Sequence, residues 1–322
     1  MAALAGTCAL ASFLDFESAG QVDRNAAAAA AWLGRVGLDA RCDDMVLTVG
    51  AQHGIMAALM ATTRPGDVLL TEELTYAPVK AMARHLGLRV VPVADEGGVL
   101  CPDALDAACD RVAGKVVYCL PTLHTPTTAT MDADRRSAIA AVARKRGLIL
   151  IEDDVFGFLP PERPRPLACF APERTIYVTS VSKSLAPGLR IGYLRAPADI
   201  ARALRTAVGL SSWMPPPLMA EISSRWIEDG TADELSGFQR AEAAFRQSMA
   251  REAIPSRYLR ADPHAFHAWL TLPENWHADM FRMEARNRGV EVVPAAAFAV
   301  DPSLSPNAIR ICLSHESARQ RV

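Results

Sequence analysis

Residues 177–194 read Tyr-Val-Thr-Ser-Val-Ser-Lys-Ser-Leu-Ala-Pro-Gly-Leu-Arg-Ile-Gly-Tyr-Leu. The apolar run Ile176–Thr179 ends in serines around Lys183, and a second run, Ile191–Leu194, follows Pro187 and Gly188. Locally this is strand, polar turn, strand. Working outward, further short apolar runs lie at Met45–Val49, Val68–Leu70, Arg89–Val93, Val116–Leu120 and Leu148–Ile151. Helical patterns alternate with them at Asn25–Arg35, Gln52–Thr62, Ala77–His85, Pro102–Arg111 and Asp132–Lys145. Asp132 is placed to cap the last of these, and Gly147 to stop it. The alternation predicts an α/β fold with a mostly parallel, seven-stranded sheet and helices on both faces. Ligands of such sheets bind beyond the carboxyl ends of the strands. Functional residues are therefore expected just after the apolar runs.

After about residue 197 the pattern changes. A helical stretch, Asp199–Ala253, is interrupted by Trp213-Met214-Pro215-Pro216-Pro217. Strand-like runs Ala265–Thr271, Val290–Val293 and Ala308–Leu313 follow, with a helix Ala278–Arg288 between the first two. This predicts a smaller α+β C-terminal domain. The expected division is an N-terminal segment 1–20, a large domain 21–230 and a small domain 231–322.

The chain has 322 residues, 50% hydrophobic and 22% charged, which excludes a disordered or fibrous chain. A net charge of −2 gives no electrostatic footprint for non-specific nucleic-acid binding. No apolar run approaches the roughly 20 residues that span a bilayer. The apolar start lacks the preceding basic residues of a secretory signal, so a cytoplasmic protein is expected. The seven cysteines, Cys8, Cys42, Cys101, Cys109, Cys119, Cys169 and Cys312, are odd in number and show no CxxC spacing. They read as free thiols. His264 and His267 are expected to face opposite sides of one strand, and no third ligand recommends itself, so no metal is expected.

Of the 34 basic residues only four are lysines: Lys80, Lys115, Lys145 and Lys183. The first three read as solvated charges. Lys183 stands between serines, with no charge within six residues on either side. A lysine in that setting loses its proton more readily and serves as an amine nucleophile. Ser180, Ser182 and Arg190 suit a bound phosphate. A Schiff-base lysine beside a phosphate site points to pyridoxal 5'-phosphate (PLP), whose pyridine nitrogen needs a carboxylate partner. Glu152, Asp153 and Asp154 offer one at the end of an apolar run. Thr48–His53 supplies a strand, a glycine turn and a helix start, where backbone N–H groups bind phosphate. Tyr76 is available to stack on a ring.

On these motifs the chain resembles fold-type-I PLP enzymes of the class I/II aminotransferase group. More closely, it resembles the aminotransferase-like domain of MocR-type regulators in the GntR family. The resemblance is carried by SVSKSLAPGLRIGYL (180–194) and by the order of TVGAQHG (48–54), TEELTYAP (71–78), YCLPTLHTPTTATM (118–131), IEDDVFG (151–157) and NAIRICLS (307–314). It covers about residues 10–315. It implies that Lys183 forms the imine link to PLP and that Asp153 pairs with the pyridine nitrogen. Ser180, Ser182, Arg190 and the backbone of Ala51 and Gln52 would hold the phosphate. Tyr76 would stack on the ring, and Arg310 would bind the substrate α-carboxylate. His124, in the cofactor-facing loop, is a candidate substrate contact. A homodimer is implied as well.

The departures are specific. Thr125 stands where many relatives carry an asparagine that donates to the cofactor's phenolic oxygen. Val155 and Phe156 stand where a tyrosine commonly follows the aspartate. Phe16 stands where a tyrosine often reaches the partner subunit's phosphate. Two functions are therefore expected from the resemblance. One is a PLP-dependent aminotransferase acting on an α-amino acid and a 2-oxo acid. The other is the PLP-binding, effector-sensing domain of a MocR/GntR-type regulator with weak turnover. Such regulators carry a winged helix and linker ahead of this domain. Neither is legible here, and the short N-terminal arm that usually closes over the site is expected to be missing. No nucleic-acid binding is expected of these 322 residues.

Overall fold

The computed structural model describes residue 13 and residues 15–314. The expectations for Cys8, for most of segment 1–20 and for the last eight residues of 231–322 lie outside the described residues. Helix α1 is Ala19–Gly34, followed by strand β1, Met45–Thr48, and helix α2, Gly50–Thr62. Then come β2 (Val68–Glu72), α3 (Ala77–His85), β3 (Arg89–Val93) and a two-strand ribbon, β4 (Asp95–Glu96) with β5 (Val99–Leu100). Next are α4 (Pro102–Arg111), β6 (Gly114–Cys119), α5 (Ala133–Arg146), β7 (Ile149–Asp153), β8 (Thr175–Ser180), the short α6 (Val181–Ser184) and β9 (Gly192–Arg195). Three helices follow: α7 (Ala198–Ser211), α8 (Pro217–Glu228) and α9 (Thr231–Ala253). The chain ends in β10 (Leu259–Arg260), β11 (His267–Thr271), α10 (Ala278–Asn287), β12 (Val293–Pro294) and β13 (Ala308–Cys312).

The large sheet has seven strands in the order β1-β9-β8-β7-β6-β2-β3. The pairs β2–β3, β2–β6, β6–β7 and β7–β8 are parallel, and β9 runs against its neighbours β8 and β1. The central strands are buried on both sides, as a helix-covered parallel sheet requires. Val116, Tyr118, Ile151 and Val178 face Ile55, Leu59 and Leu204 of α2 and α7. Val117, Cys119 and Leu150 face Leu105 and Ile139 of α4 and α5. This is the expected α/β fold, and it carries a second sheet, wholly antiparallel, in the order β10-β11-β13-β12. Among the described residues no helix is long and apolar enough to cross a membrane.

Boundaries moved where local chemistry outweighed hydrophobic pattern. Helix α1 starts six residues before the expected Asn25, because Ser18 and Gln21 form a reciprocal capping box. Asp132 accepts from the Arg135 N–H, and Gly147 closes α5 in the left-handed region at φ 70°, both as expected. The long helical stretch breaks twice rather than once, the second time at Gly230, φ 87°. Strand β11 begins only at His267. His264 therefore lies ahead of the strand, and the expected pair on one strand does not exist. Lys80 is not simply solvated: its Nζ donates to the Ala299 carbonyl at 2.6 Å.

Candidate functional site

A two-residue alternation decides which acid is available. The expected run ended at Ile151, but β7 continues through Asp153, so Glu152 and Asp153 sit in the strand and Asp154 directly after it. Asp153 shares the α2 face with Ile151; Glu152 shares the α5 face with Leu150. Glu152 is fully buried there, accepts the N–H groups of Leu167 and Ala168 at 2.7 and 2.8 Å, and lies 3.5 Å from Arg136. Asp154 is held by the Tyr177 hydroxyl at 2.7 Å and by Arg163 at 2.5 Å. Only Asp153 faces the cavity described next.

That cavity has a volume of about 300 Å³ and lies at the carboxyl ends of the parallel strands. Asp153, Lys183, Ser180 and Ser182 line it, with Ala51 and Gln52 from the start of α2. Tyr76, Thr125, Phe156, Arg190 and Arg310 complete the set of sequence-predicted residues that it brings together. His124 is not among them. It is 1% exposed, with Nδ1 2.9 Å from the Thr127 hydroxyl. Burial holds its imidazole down at about 3, so it is neutral at ordinary pH.

Lys183 is the lysine that differs. Lys115 and Lys145 pair with Asp67 and Asp106, and Lys80 with a carbonyl. Lys183 has no hydrogen bond or ion pair among the described residues; its Nζ stands 5.9 Å from the centre of the Phe156 ring. Burial lowers its pKa, Arg310 and Arg190 add to the effect, and the Cys312 thiol opposes it. The result is an amine biased toward its neutral, nucleophilic form.

An anion cradle lies on the β1–α2 side. Helix α2 starts directly after β1 and no side chain caps it, so its first N–H groups need an outside acceptor. Gly50, at φ 76°, lets the Arg190 guanidinium lie against it: a Cβ there would sit 2.9 Å from Arg190 Nη2. Gly192 does the same from β9, where a Cβ would meet the Ala51 nitrogen at 2.9 Å. The Ser182 hydroxyl is buried without a partner, as is Arg310 Nε. Buried donors left unpaired are costly. Here they face a cavity with helix-start N–H groups and a guanidinium, the donor set that fits a phosphate.

Arg310 is set by the small sheet. It lies at the centre of β13, between Trp269 of β11 and Val293 of β12, with its guanidinium 4.9 Å over the Phe298 ring. Phe298 in turn is tied to the large unit, because its carbonyl accepts the Thr75 N–H at 3.0 Å, next to Tyr76. Burial lowers the Arg310 pKa from its ordinary value. Asp153 accepts the Tyr118 hydroxyl at 2.5 Å. Burial raises its carboxyl to about 6, with Tyr118 and the Val155 N–H holding it lower than burial alone would. Sequence reasoning missed Tyr118. The available signal was a tyrosine within a buried run, whose hydroxyl must find a partner. His267 was set aside as a possible metal ligand. Its ring lies 5.4 Å from Phe156, and its Nε2 is 3.0 Å from the His124 carbonyl.

The family model for aminotransferase class I and II matches residues 16–321. The HTH-type transcriptional regulator YdeF of Bacillus subtilis is 30% identical over 277 residues, or 86% of this chain. The chain spans 60% of that regulator's length. Aromatic-amino-acid aminotransferase 1 of Thermococcus litoralis is 27% identical over 79% of this chain and 64% of its own. In fold, a kynurenine aminotransferase from Pyrococcus horikoshii superposes with a TM-score of 0.86 at 22% identity, covering 97% of this chain and 80% of its own. With nearly all of its described residues inside the family match, the chain belongs to the class I and II aminotransferases.

Proposed function

We propose that the chain is a PLP-dependent aminotransferase unit acting on an α-amino acid and a 2-oxo acid. The observation that carries this is Lys183: the one lysine without a polar partner among the described residues, placed in a cavity with Asp153, Arg190 and Arg310. Ser180, Ser182, Arg190 and the N–H groups of Ala51 and Gln52 would hold the phosphate, Tyr76 would cover the ring, and Asp153 would pair with the pyridine nitrogen. PLP supplies the electron sink that acidifies the substrate Cα–H. Lys183 Nζ would be the general base placed to take that proton. Arg310 binds the α-carboxylate through a bidentate fork and so fixes which bond of Cα the lysine meets.

Two observations favour a second reading, an effector-sensing domain with weak turnover. Transcriptional regulators are among the matched relatives, one of them 30% identical over 86% of this chain. Thr125, Val155 and Phe156 line the cavity without the asparagine and tyrosine donors. A homodimer fits either reading. Phe16 and Trp213 are 68% and 70% exposed with rings 6.1 Å apart, and Leu210 is 78% exposed. A two-fold partner would cover such a patch. A cytoplasmic setting agrees with six unpaired cysteines among the described residues.

Borohydride reduction after incubation with PLP, read by peptide mass, tests the assignment. The label should fall on Lys183 and be absent from Lys183→Ala. A label on another lysine refutes the site. Half-transamination with a panel of amino acids then separates the two readings.

A further inference from the structure

Between α1, the loop after β7 and α9 lies a second cleft, of about 550 Å³, sharing no residue with the cavity around Lys183. Donors dominate its lining: Trp32 from α1 and Arg35 directly after it, Arg163 and Arg165 from the loop, and Arg240 from α9. Its acids are Asp233 and Glu162. Asp233 is taken by Arg35 in two hydrogen bonds, at 2.6 and 2.8 Å, and Glu162 is exposed.

Two donors have no acceptor. The Arg163 side chain is 6% exposed; Nη1 pairs with Asp154, yet Nη2 is buried and unpartnered. Trp32 is 1% exposed and stacked on Phe158 at 4.6 Å, and its Nε1 is likewise buried and unpartnered. Arg165 and Arg240 make no ion pair among the described residues, although Arg240 adds to Arg35 in lowering the Asp233 pKa. Arg165 uses Nε and Nη2 on the Gly37 carbonyl, and Arg240 uses Nη1 on the Phe158 carbonyl and the Ser236 hydroxyl. Unmade bonds at buried donors are costly. Two of them beside two guanidinium groups without an ion pair form a donor set that an acceptor carrying negative charge would satisfy.

We propose that this cleft binds a small multivalent oxyanion of the phosphate class, held between the Arg163–Arg165 loop and Arg240 on the long helix α9. Such an anion offers several acceptor oxygens and needs few donors in return, which matches the guanidinium fork. A neutral ligand would leave both free cations unmet. A dicarboxylate shares part of this chemistry and is separated by the test.

Pyrophosphate, inorganic phosphate and succinate are titrated at constant ionic strength into the full chain saturated with PLP, followed by calorimetry and tryptophan fluorescence. Pyrophosphate should bind saturably and more tightly than succinate. The binding should survive borohydride fixation of PLP on Lys183, which keeps the phosphate cradle of the other cavity filled. It should weaken about tenfold or more in Arg165→Gln and in Arg240→Gln. Arg240→Lys, which keeps the charge and loses the fork, provides the same comparison if either glutamine variant melts early. Trp32→Phe should lose most of the fluorescence response and keep measurable binding. No saturable binding, loss after borohydride fixation of PLP, or wild-type affinity in the Arg165 and Arg240 variants overturns the site. Tighter binding of succinate overturns the phosphate class.

Discussion

Tyr118 and Asp153 sit on neighbouring parallel strands, and the tyrosine hydroxyl reaches the carboxylate at 2.5 Å. Burial alone drives this carboxyl toward its neutral form, and the hydroxyl works against that. Tyr118 thus helps to keep ionised the group proposed to pair with the pyridine nitrogen. Tyr118→Phe should raise the Asp153 pKa further above about 6. PLP affinity should fall by roughly tenfold to a hundredfold, the scale of one hydrogen bond to a charged group. The loss should be larger at pH 6 than at pH 8, because the ionised fraction of Asp153 falls with pH. PLP titrations at both values check this. Equal losses at the two pH values would assign Tyr118 a packing role only.

Without PLP, Asp153 is a liability. Its carboxyl is raised in the folded state, so the folded protein binds more protons than the unfolded chain between about pH 4 and 6. By linkage, stability is lost as pH rises through that window. Two units of raised pKa correspond to about 3 kcal/mol at most. Asp153→Asn should therefore stabilise the PLP-free protein at pH 7 while abolishing efficient half-transamination, a trade between stability and activity. Glu152 and Glu72 are also raised by burial, so the wild type and the variant must be compared across the same pH series. A variant no more stable than wild type at pH 7 would show that Asp153 is already neutral or solvated in the PLP-free state.

Much of this was legible in the sequence for one physical reason. Strand, turn and helix signals repeat along residues 45–195, and chemistry follows the strand ends. Lys183, Ser180, Ser182 and Arg190 are compressed into one turn between two strands, so local pattern alone brings them together. Asp153 needed more. Three adjacent acids look alike in sequence, and only the strand alternation, with Arg136 and Arg163 on the far face, separates them. A histidine in a site loop looks available in sequence, whereas the His124 ring is buried beside Thr127 and does not line the cavity. The Ser18–Gln21 capping box was readable and was passed over in favour of the alanine run. The arginine cleft was not legible, since its lining comes from residues 32 to 240.

Gly192 sets how closely β9 approaches the start of α2. A Cβ there would lie 2.5 Å from the Thr48 hydroxyl and 2.6 Å from the Gly50 carbonyl carbon. That carbon and the Ala51 nitrogen, at 2.9 Å, are both backbone, so rotamer changes cannot relieve the clash. Gly192→Ala should cost about 1–3 kcal/mol by overpacking. It should also displace the Ala51 and Gln52 N–H groups, weakening PLP more than this loss of stability explains. Gly188→Ala, with nothing within 4 Å of its Cβ, is the matched control. Melting curves and PLP titrations of the two variants measure both effects; an unaltered PLP affinity in Gly192→Ala would separate that helix start from the phosphate.

The last prediction concerns the missing donors. Phe156 lies 5.9 Å from Lys183 Nζ, and Thr125 and Val155 line the same cavity. The phenolic oxygen of bound PLP is an anion that shares a proton with the lysine-linked nitrogen. A donor to that oxygen stabilises the anion and lowers the proton affinity of the link. Phe156→Tyr and Thr125→Asn should each move the spectral titration of the PLP-loaded protein to lower pH, by about one to two units per donor. Phe156 packs with Leu123, Leu159, Ala243 and Phe266, none of which offers a hydroxyl of Phe156→Tyr a side-chain partner. Without PLP it would be buried unpaired, at a cost of about 1–3 kcal/mol. The variant should therefore melt earlier than wild type when empty and recover on loading. That contrast separates a donor aimed at the cofactor from one merely tolerated. Identical titration curves for wild type and both variants would mean that neither position faces the phenolic oxygen, and the two loops would have to be assigned anew.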